Sequence, residues 1–327
     1  MKVLVIGGAG YIGSHAVYEL IRDNNEVVVM DNLSTGDKSF VNKDSKFYLG
    51  DTTKKEDLTR IFDEECAIKP FDVVMHFAAK LIVPESMSMP LEYYHNNVEG
   101  VRLMLEVMKE HNIKNVVFSS TAAVYGNPEK YICEEEDITL PINPYGASKL
   151  ASEYMIKWVC NAYNMNYCIF RYFNVAGADK TLEIGLNKDT LTHLIPVTVQ
   201  TALGIRDKMV VYGNDYDTVD GTCVRDYIHV LDLVNAHMMA ISKLENSKGG
   251  HFYNVGTGSG FSNKEVIEMI EKVTGEKVTV EISPRREGDS SELVADPIKI
   301  KMELGFVPQY SDLETIVKTA WQWHKQS

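Results

Sequence analysis

The chain has 327 residues, 45% of them hydrophobic and 24% charged, with a formal net charge of −13. This is the composition of a soluble globular protein with one large or two modest domains. The negative charge argues against broad nucleic-acid binding, and any bound anion would need local arginines.

No run of 18 or more apolar residues marks a membrane span. Met1-Lys2 leads directly into a strand without a signal-peptide pattern, and Cys66, Cys133, Cys160, Cys168 and Cys223 lack CxxC spacing. Reduced thiols, no metal site and a cytoplasmic location are therefore expected. Short apolar runs predict strands at Val3–Ile6, Val27–Met30, Phe47–Leu49, Val73–Phe77, Val116–Ser119 and Cys168–Tyr172. Between the fourth and fifth, Val98, Val101, Leu105 and Met108 recur at helical spacing, and Leu150, Tyr154 and Trp158 do so later. This alternation predicts an α/β fold with a doubly wound parallel sheet of Rossmann type over residues 1–175. Residues 176–327, with Gly-, Asn- and Asp-rich loops at 213–221 and 256–260, read as a smaller α/β substrate region, some segments of which return to the first domain. The acidic run Glu134–Asp137 reads as a solvated loop.

The first strand runs into Gly7-Gly8-Ala9-Gly10-Tyr11-Ile12-Gly13, with Gly7, Gly10 and Gly13 spaced G-x-x-G-x-x-G before a helix. Missing side chains let such a loop turn sharply and approach a pyrophosphate at the helix N-terminus. Asp31-Asn32 ends the second strand. A carboxylate there suits ribose hydroxyls and repels a 2′-phosphate, which favours NAD over NADP. Asp51, after the third strand, is placed for the adenine side.

Tyr145-Gly146-Ala147-Ser148-Lys149 sets a phenol and an ammonium four residues apart, on one helical face. An adjacent cation is expected to lower the tyrosine pKa and suit it to proton transfer at a hydroxyl. Thr121 lies at the end of the fifth strand, where parallel sheets face their ligands. Together the three supply the groups for oxidising or reducing a carbinol.

These motifs resemble the extended short-chain dehydrogenase/reductase family. Further stretches are similar to its 4-epimerase branch, which acts on UDP-glucose and UDP-galactose: Asp31-Asn32-Leu33, His76-Phe77-Ala78-Ala79, Tyr93-Tyr94-His95-Asn96-Asn97, Arg171-Tyr172-Phe173-Asn174, Gly213-Asn214-Asp215-Tyr216, Val224–Val230 and Pro284–Asp289. The resemblance implies an isomerase that oxidises sugar C4 transiently, lets the 4-keto sugar turn over and returns the hydride to its other face, with NAD retained throughout. It implies Tyr145 as acid/base, Thr121 beside it, and Lys149 on the nicotinamide ribose. Tyr11, Ile12, Asp31, Asn32, Asp51, Phe77, Ala78, Ala79, Asn96 and Tyr172 would line the cofactor. Asn174, Tyr212, Arg225, Arg286 and Asp289 would hold the UDP part, arginine suiting a diphosphate through its planar fork. Ile6 stands where relatives often have threonine, and Lys80 falls one position before a family lysine, leaving Leu81 in its place. His229 reads as a packed structural histidine.

Related dehydratases place Asp-Glu after the threonine, whereas this chain has Ala122-Ala123, which lack a proton donor for elimination. Epimerisation is thus expected, with a dehydratase or decarboxylase and a silent NAD-binding regulator as alternatives. Leu293 would border the sugar's C2 substituent, leaving acceptance of N-acetylated sugars open. A homodimer is implied through helices near 98–110 and 147–163, with Trp158, Met155 and Met108 as candidate contacts.

Overall fold

The computed structural model describes residues 1–187, 191–286 and 289–326. Its strands, in chain order, are β1 Lys2–Ile6, β2 Glu26–Asp31, β3 Lys46–Leu49, β4 Val73–His76, β5 Asn115–Thr121, β6 Ile132–Cys133, β7 Asn166–Tyr172, β8 Asn174–Ala176, β9 Met209–Tyr212, β10 Val224–His229, β11 Gly250–Val255, β12 Gly260–Ser262, β13 Val280–Ser283 and β14 Glu292–Ala295. The helices are α1 Tyr11–Arg22, α2 Lys55–Cys66, α3 Val83–Ser88, α4 Pro90–Tyr94, α5 Gly100–Glu110, α6 Pro144–Tyr163, α7 Leu194–Ala202, α8 Val230–Asn246, α9 Asn263–Thr274, α10 Ile298–Leu304 and α11 Leu313–Lys325.

The large sheet has seven strands in the order β11-β7-β5-β4-β1-β2-β3, and the pairs from β5 through β3 are parallel. Strand order reverses at β1, flanked by β2 and β4, so the ligand crevice of such a sheet opens beyond the carboxyl ends of β1 and β4. β1 is buried along its whole length, as a central strand covered on both faces must be. Leu4, Ile6, Val28, Val74, Met104, Val116, Phe118, Ile156 and Ile169 belong to one continuous core beneath that crevice.

Two compact units divide the chain: Met1–Tyr125 with Thr139–Arg171 and Val234–Tyr253, and Gly126–Ile138 with Tyr172–Leu233 and Asn254–Ser327. The main division falls between Arg171 and Tyr172, with Val234–Tyr253 in the first unit and Gly126–Ile138 in the second. β11, unanticipated from local pattern, joins the edge of the large sheet, while β6 pairs with β14 in the second unit. The second unit holds the order β12-β10-β14-β6, with β8 on β10 and a β13-β9 pair, over a core that includes Ile195, Val199, Ile270, Ile316 and Val317. Within the acidic run Glu134–Asp137, Glu135 is not simply solvated: it accepts the Asn254 amide at 2.7 Å. The five cysteines are free thiols. Among the described residues no helix is long and apolar enough to cross a membrane.

α6 departs from the expected pattern. Tyr154 and Trp158, part of its apolar stripe, are 52% and 68% exposed. The buried face is Gly146, Ser148, Lys149, Ser152, Glu153, Ile156 and Cys160. Met108, by contrast, is a core residue of α5.

Candidate active site

The loop after β1 is shaped by contacts no side chain could share. Gly7 has φ +83°, and a Cβ there would sit 2.5 Å from the Ala78 amide nitrogen; at Gly13 it would sit 2.1 Å from the Gly7 carbonyl oxygen. Both clashes are with backbone, so only glycine permits this turn. α1 starts at Tyr11 with Gly10 as its N-cap, no capping side chain and no acid in its first turn. Its amide end thus provides the positive pole that suits a pyrophosphate. Tyr11 and Ile12 are half-buried there, and Phe77, Ala78 and Ala79, also half-buried, follow β4 beside it. The Phe77 and Ala78 amides both donate to the Ile6 carbonyl, at 2.8 and 3.2 Å.

Asp31 accepts the amides of Ala9 at 2.9 Å and Leu33 at 2.8 Å. Burial raises its pKa against those bonds. Asn32 reaches Asp51 at 3.5 Å. Burial also works against Asp51, but the Thr53 amide and hydroxyl hold its carboxyl below the ordinary range. Asn96 lies in a π-helical segment, His95–Glu99, and donates to the Asn97 side chain at 2.9 Å. Asn97 in turn accepts the Lys80 amide at 2.9 Å and donates to Ser148 at 3.0 Å, tying the loop after β4 to α6. The Lys80 ammonium lies 3.7 Å from Glu85.

Thr121 ends β5, and its hydroxyl accepts the Ala123 amide at 3.1 Å while also bonding the Tyr145 phenol. α6 begins just before that phenol: Asn143 caps it by accepting the Gly146 amide at 2.8 Å, and Pro144 occupies its first turn. Lys149, one turn on, is 3% exposed and donates to the Ser119 carbonyl at 2.8 Å. The expected lowering of the Tyr145 pKa is corrected here: burial raises it, with the Thr121 bond opposing. Lys149 is desolvated as well. Its pKa is pushed down to about 7 by burial, against the field of Glu153. His76, at the end of β4, is buried, and burial and then Lys149 push its pKa down to about 3, so it is neutral.

The second unit brings together another set. In the β10–β14 pairing Arg225 lies opposite Leu293, and in β10–β8 Tyr227 lies opposite Asn174. Arg225 and Tyr227, two apart on a strand, share a face. Among the described residues Arg225 forms no surface ion pair. Its guanidinium donates to the carbonyls of Val224 and Ser290 at 2.8 Å each. The Arg286 guanidinium stacks 4.1 Å over the Tyr212 ring, and the Asp289 amide donates to the Arg286 carbonyl at 3.4 Å. Leu293 is half-buried, and Tyr172, at the end of β7, is buried. His229 is fully buried, bonded to Thr319 at 2.9 Å and accepting the Leu231 amide at 3.1 Å, a structural role. The Glu287–Gly288 part of the Pro284–Asp289 motif lies outside the described residues.

Sequence reasoning overlooked Glu153 and Ser152, and quoted Asn97, Ser148 and Arg171 without a role. The signal was present for Glu153, which extends the i, i+4 series from Tyr145 and Lys149 by one further turn.

A doubly wound sheet with a glycine cradle after its first strand and a Thr–Tyr–Lys cluster beyond its fifth defines a dinucleotide-dependent enzyme acting on a hydroxyl or carbonyl. Residues 3–256 match the model of the NAD dependent epimerase/dehydratase family, and the chain belongs to that family. The UDP-glucose 4-epimerase of Halalkalibacterium halodurans is 47% identical over 326 residues, covering 100% of this chain and 96% of that protein. Among solved structures, UDP-glucose 4-epimerase from Brucella ovis in complex with NAD is 43% identical with a TM-score of 0.94, covering 98% of this chain and 97% of that one. The enzyme from Bifidobacterium longum, in complex with NAD+ and UDP, is 37% identical with a TM-score of 0.94, covering 100% and 98%. NAD is the cofactor, and the Gly7–Gly13 cradle, the uncapped start of α1 and Asp31 fit it.

Proposed function

We propose that the chain interconverts UDP-galactose and UDP-glucose by transient oxidation at sugar C4. The observation that carries this reading is the Thr121–Tyr145–Lys149 cluster, followed by Ala122 and Ala123 rather than acids. NAD, when bound, supplies the hydride acceptor and donor. Tyr145 moves the proton at the sugar 4-oxygen, a role worth about 10²–10⁴-fold in rate. Thr121 holds the phenol by its hydrogen bond, and Lys149 sets the charge beside it. Without an acid at residues 122 and 123, no side chain there can expel water from C5 and C6, so the 4-keto sugar turns over and is reduced on its other face. The same alanines disfavour the dehydratase reading, and the complete cluster disfavours a silent regulator.

The first unit is the NAD-binding domain in this reading. Asn174, Tyr212, Arg225, Arg286 and Asp289 of the second unit hold the UDP part, and Leu293 borders the sugar C2 substituent. Five free cysteines support a reducing cytoplasm as its compartment. The exposed Tyr154 and Trp158 support a homodimer through α6 and α5.

The test is conversion of UDP-galactose, and separately of UDP-N-acetylgalactosamine, with no NAD added. UDP-glucose at a constant equilibrium ratio is the expected product of the first reaction. A lone 4-keto product would point to a dehydratase, and the absence of any product would sink the redox-neutral reading. The second reaction reads whether Leu293 admits an acetamido group.

A further inference from the structure

Directly behind the Thr–Tyr–Lys cluster lies a buried charge pair that the reaction does not use. Glu153 and Arg171 are 2% and 5% exposed. The guanidinium grips the carboxylate with two bonds, Nε to Oε1 at 3.1 Å and Nη2 to Oε2 at 2.7 Å. Each partner has a second attachment. Glu153 accepts the hydroxyl of Ser120, the residue before Thr121. Arg171 donates through Nη1 to the Tyr125 hydroxyl at 2.9 Å, four residues after Thr121, with its guanidinium 5.1 Å from that ring. Lys149 meanwhile holds the carbonyl of Ser119 at 2.8 Å. The strand end carrying Thr121 is thus tied to α6 on both sides of that threonine, and α6 carries Tyr145.

We propose that Glu153 and Arg171 are a positioning pair: the bidentate bridge fixes Thr121 against Tyr145, and the Glu153 carboxylate, one turn beyond Lys149, keeps Lys149 an ammonium. The effect on catalysis rests on the C4-oxidation reading above; the effect on Lys149 does not. A bridge serving stability alone would have no reason to grip the two residues that bracket Thr121. Burying an ion pair is no cheaper than burying apolar groups of the same size, so stability does not account for it. The groups that face Lys149 set the sign. From β4 comes His76, which is neutral; from β5, the Ser119 carbonyl and the Phe118 ring, 4.8 Å from its ammonium. From β7 comes Arg171, a cation paired with Glu153 at 2.7 Å, whose field opposes that of its partner at Lys149. On α6 stand Tyr145 and Glu153, and Tyr93 of α4 packs its ring 6.5 Å from that of Tyr145, its hydroxyl on Glu85. Glu153 is the acid among these that favours the ammonium.

Glu153→Gln keeps the shape and removes the charge. In the holoenzyme, kcat for UDP-galactose is expected to fall about tenfold or more while KM stays within about twofold, and the alkaline limb of the kcat profile should move about one unit lower. Lys149 is read without turnover from its ε-carbon resonance in ¹³C-lysine-labelled protein, assigned by its loss in Lys149→Met; it should titrate lower by a similar amount. The paired variant Glu153→Met with Arg171→Met leaves no unpaired charge. It should melt near the wild-type temperature yet lose about a hundredfold in kcat, and it decides the question if Glu153→Gln does not fold. Wild-type kcat with an unmoved Lys149 titration would overturn the proposal, as would parallel losses of kcat, KM and melting temperature. Should the wild-type chain convert no UDP-sugar, the parent reading fails, and the Lys149 titration still decides whether Glu153 holds the ammonium.

Discussion

Tyr145 is where two opposing effects are decided. A cation four residues away favours the phenolate, but enclosure by protein disfavours it, and enclosure wins in the chain alone. The phenol therefore starts protonated at neutral pH, bonded to Thr121 and ready to donate. Tyr145→Phe removes one hydroxyl from a partly exposed ring, a stability change of about 1 kcal/mol. Conversion of UDP-galactose should fall by about 10²–10⁴-fold with the melting temperature little changed and NAD still present in the absorbance spectrum of the purified protein. Retained activity would remove Tyr145 from the mechanism. Leu293, opposite Arg225 across β14 and β10, tests the substrate set in the same way. Leu293→Tyr should lower turnover of an N-acetylated UDP-hexose relative to UDP-galactose, by about tenfold or more, measured as a ratio of kcat/KM values.

The elements differ in how openly their sequences declare them. The middles of β1, β2 and β4 are runs of Val, Ile, Leu and Met, which suit a strand buried on both faces. The glycine loop is equally legible, because its constraint is steric and local. A Gly13→Ala chain would drive a methyl into the Gly7 carbonyl, so it should purify without NAD absorbance and melt lower than the parent. α6 was misleading because its inward face is polar. Ser148 and Ser152 are satisfied by the side chain and carbonyl of Asn97, the latter at 2.9 Å, and Lys149 and Glu153 by groups on β5 and β7. A hydropathy pattern counts these as surface, whereas partners distant in sequence make burial tolerable. Its exposed aromatics await a partner in the homodimer reading. Tyr154→Glu with Trp158→Glu should shift the sedimentation coefficient to that of a monomer; an unchanged value would exclude this face.

Across the first unit, a second charge cluster joins elements far apart in the chain. Glu65 of α2 meets Lys2 of β1 at 2.7 Å, Lys46 of β3 at 2.5 Å and the Tyr48 hydroxyl at 2.6 Å, and the side chains of Lys2 and Glu65 are 0% and 3% exposed. Burial pushes the Glu65 pKa up, but these three bonds outweigh it and hold it at about 2. With the folded value below the unfolded one, the stabilisation is fully present above a pH of about 4.3 and is lost as pH falls toward 2. Glu65→Gln should therefore cost about 3 kcal/mol near neutrality, and the gap in melting temperature should close in acid. A gap independent of pH would show that shape rather than charge matters there. The chain's own order of residues was enough to reveal the NAD loop, Asp31 and the Tyr-x-x-x-Lys spacing, because each is a short-range constraint: a turn, a strand end, one helical repeat. Three-dimensional packing was needed to bring β11 to the sheet edge, to set Leu293 beside Arg225, to turn the polar face of α6 inward and to raise rather than lower the Tyr145 pKa. Those outcomes depend on desolvation and on hydrogen bonds between residues tens to more than a hundred positions apart, which no local pattern encodes.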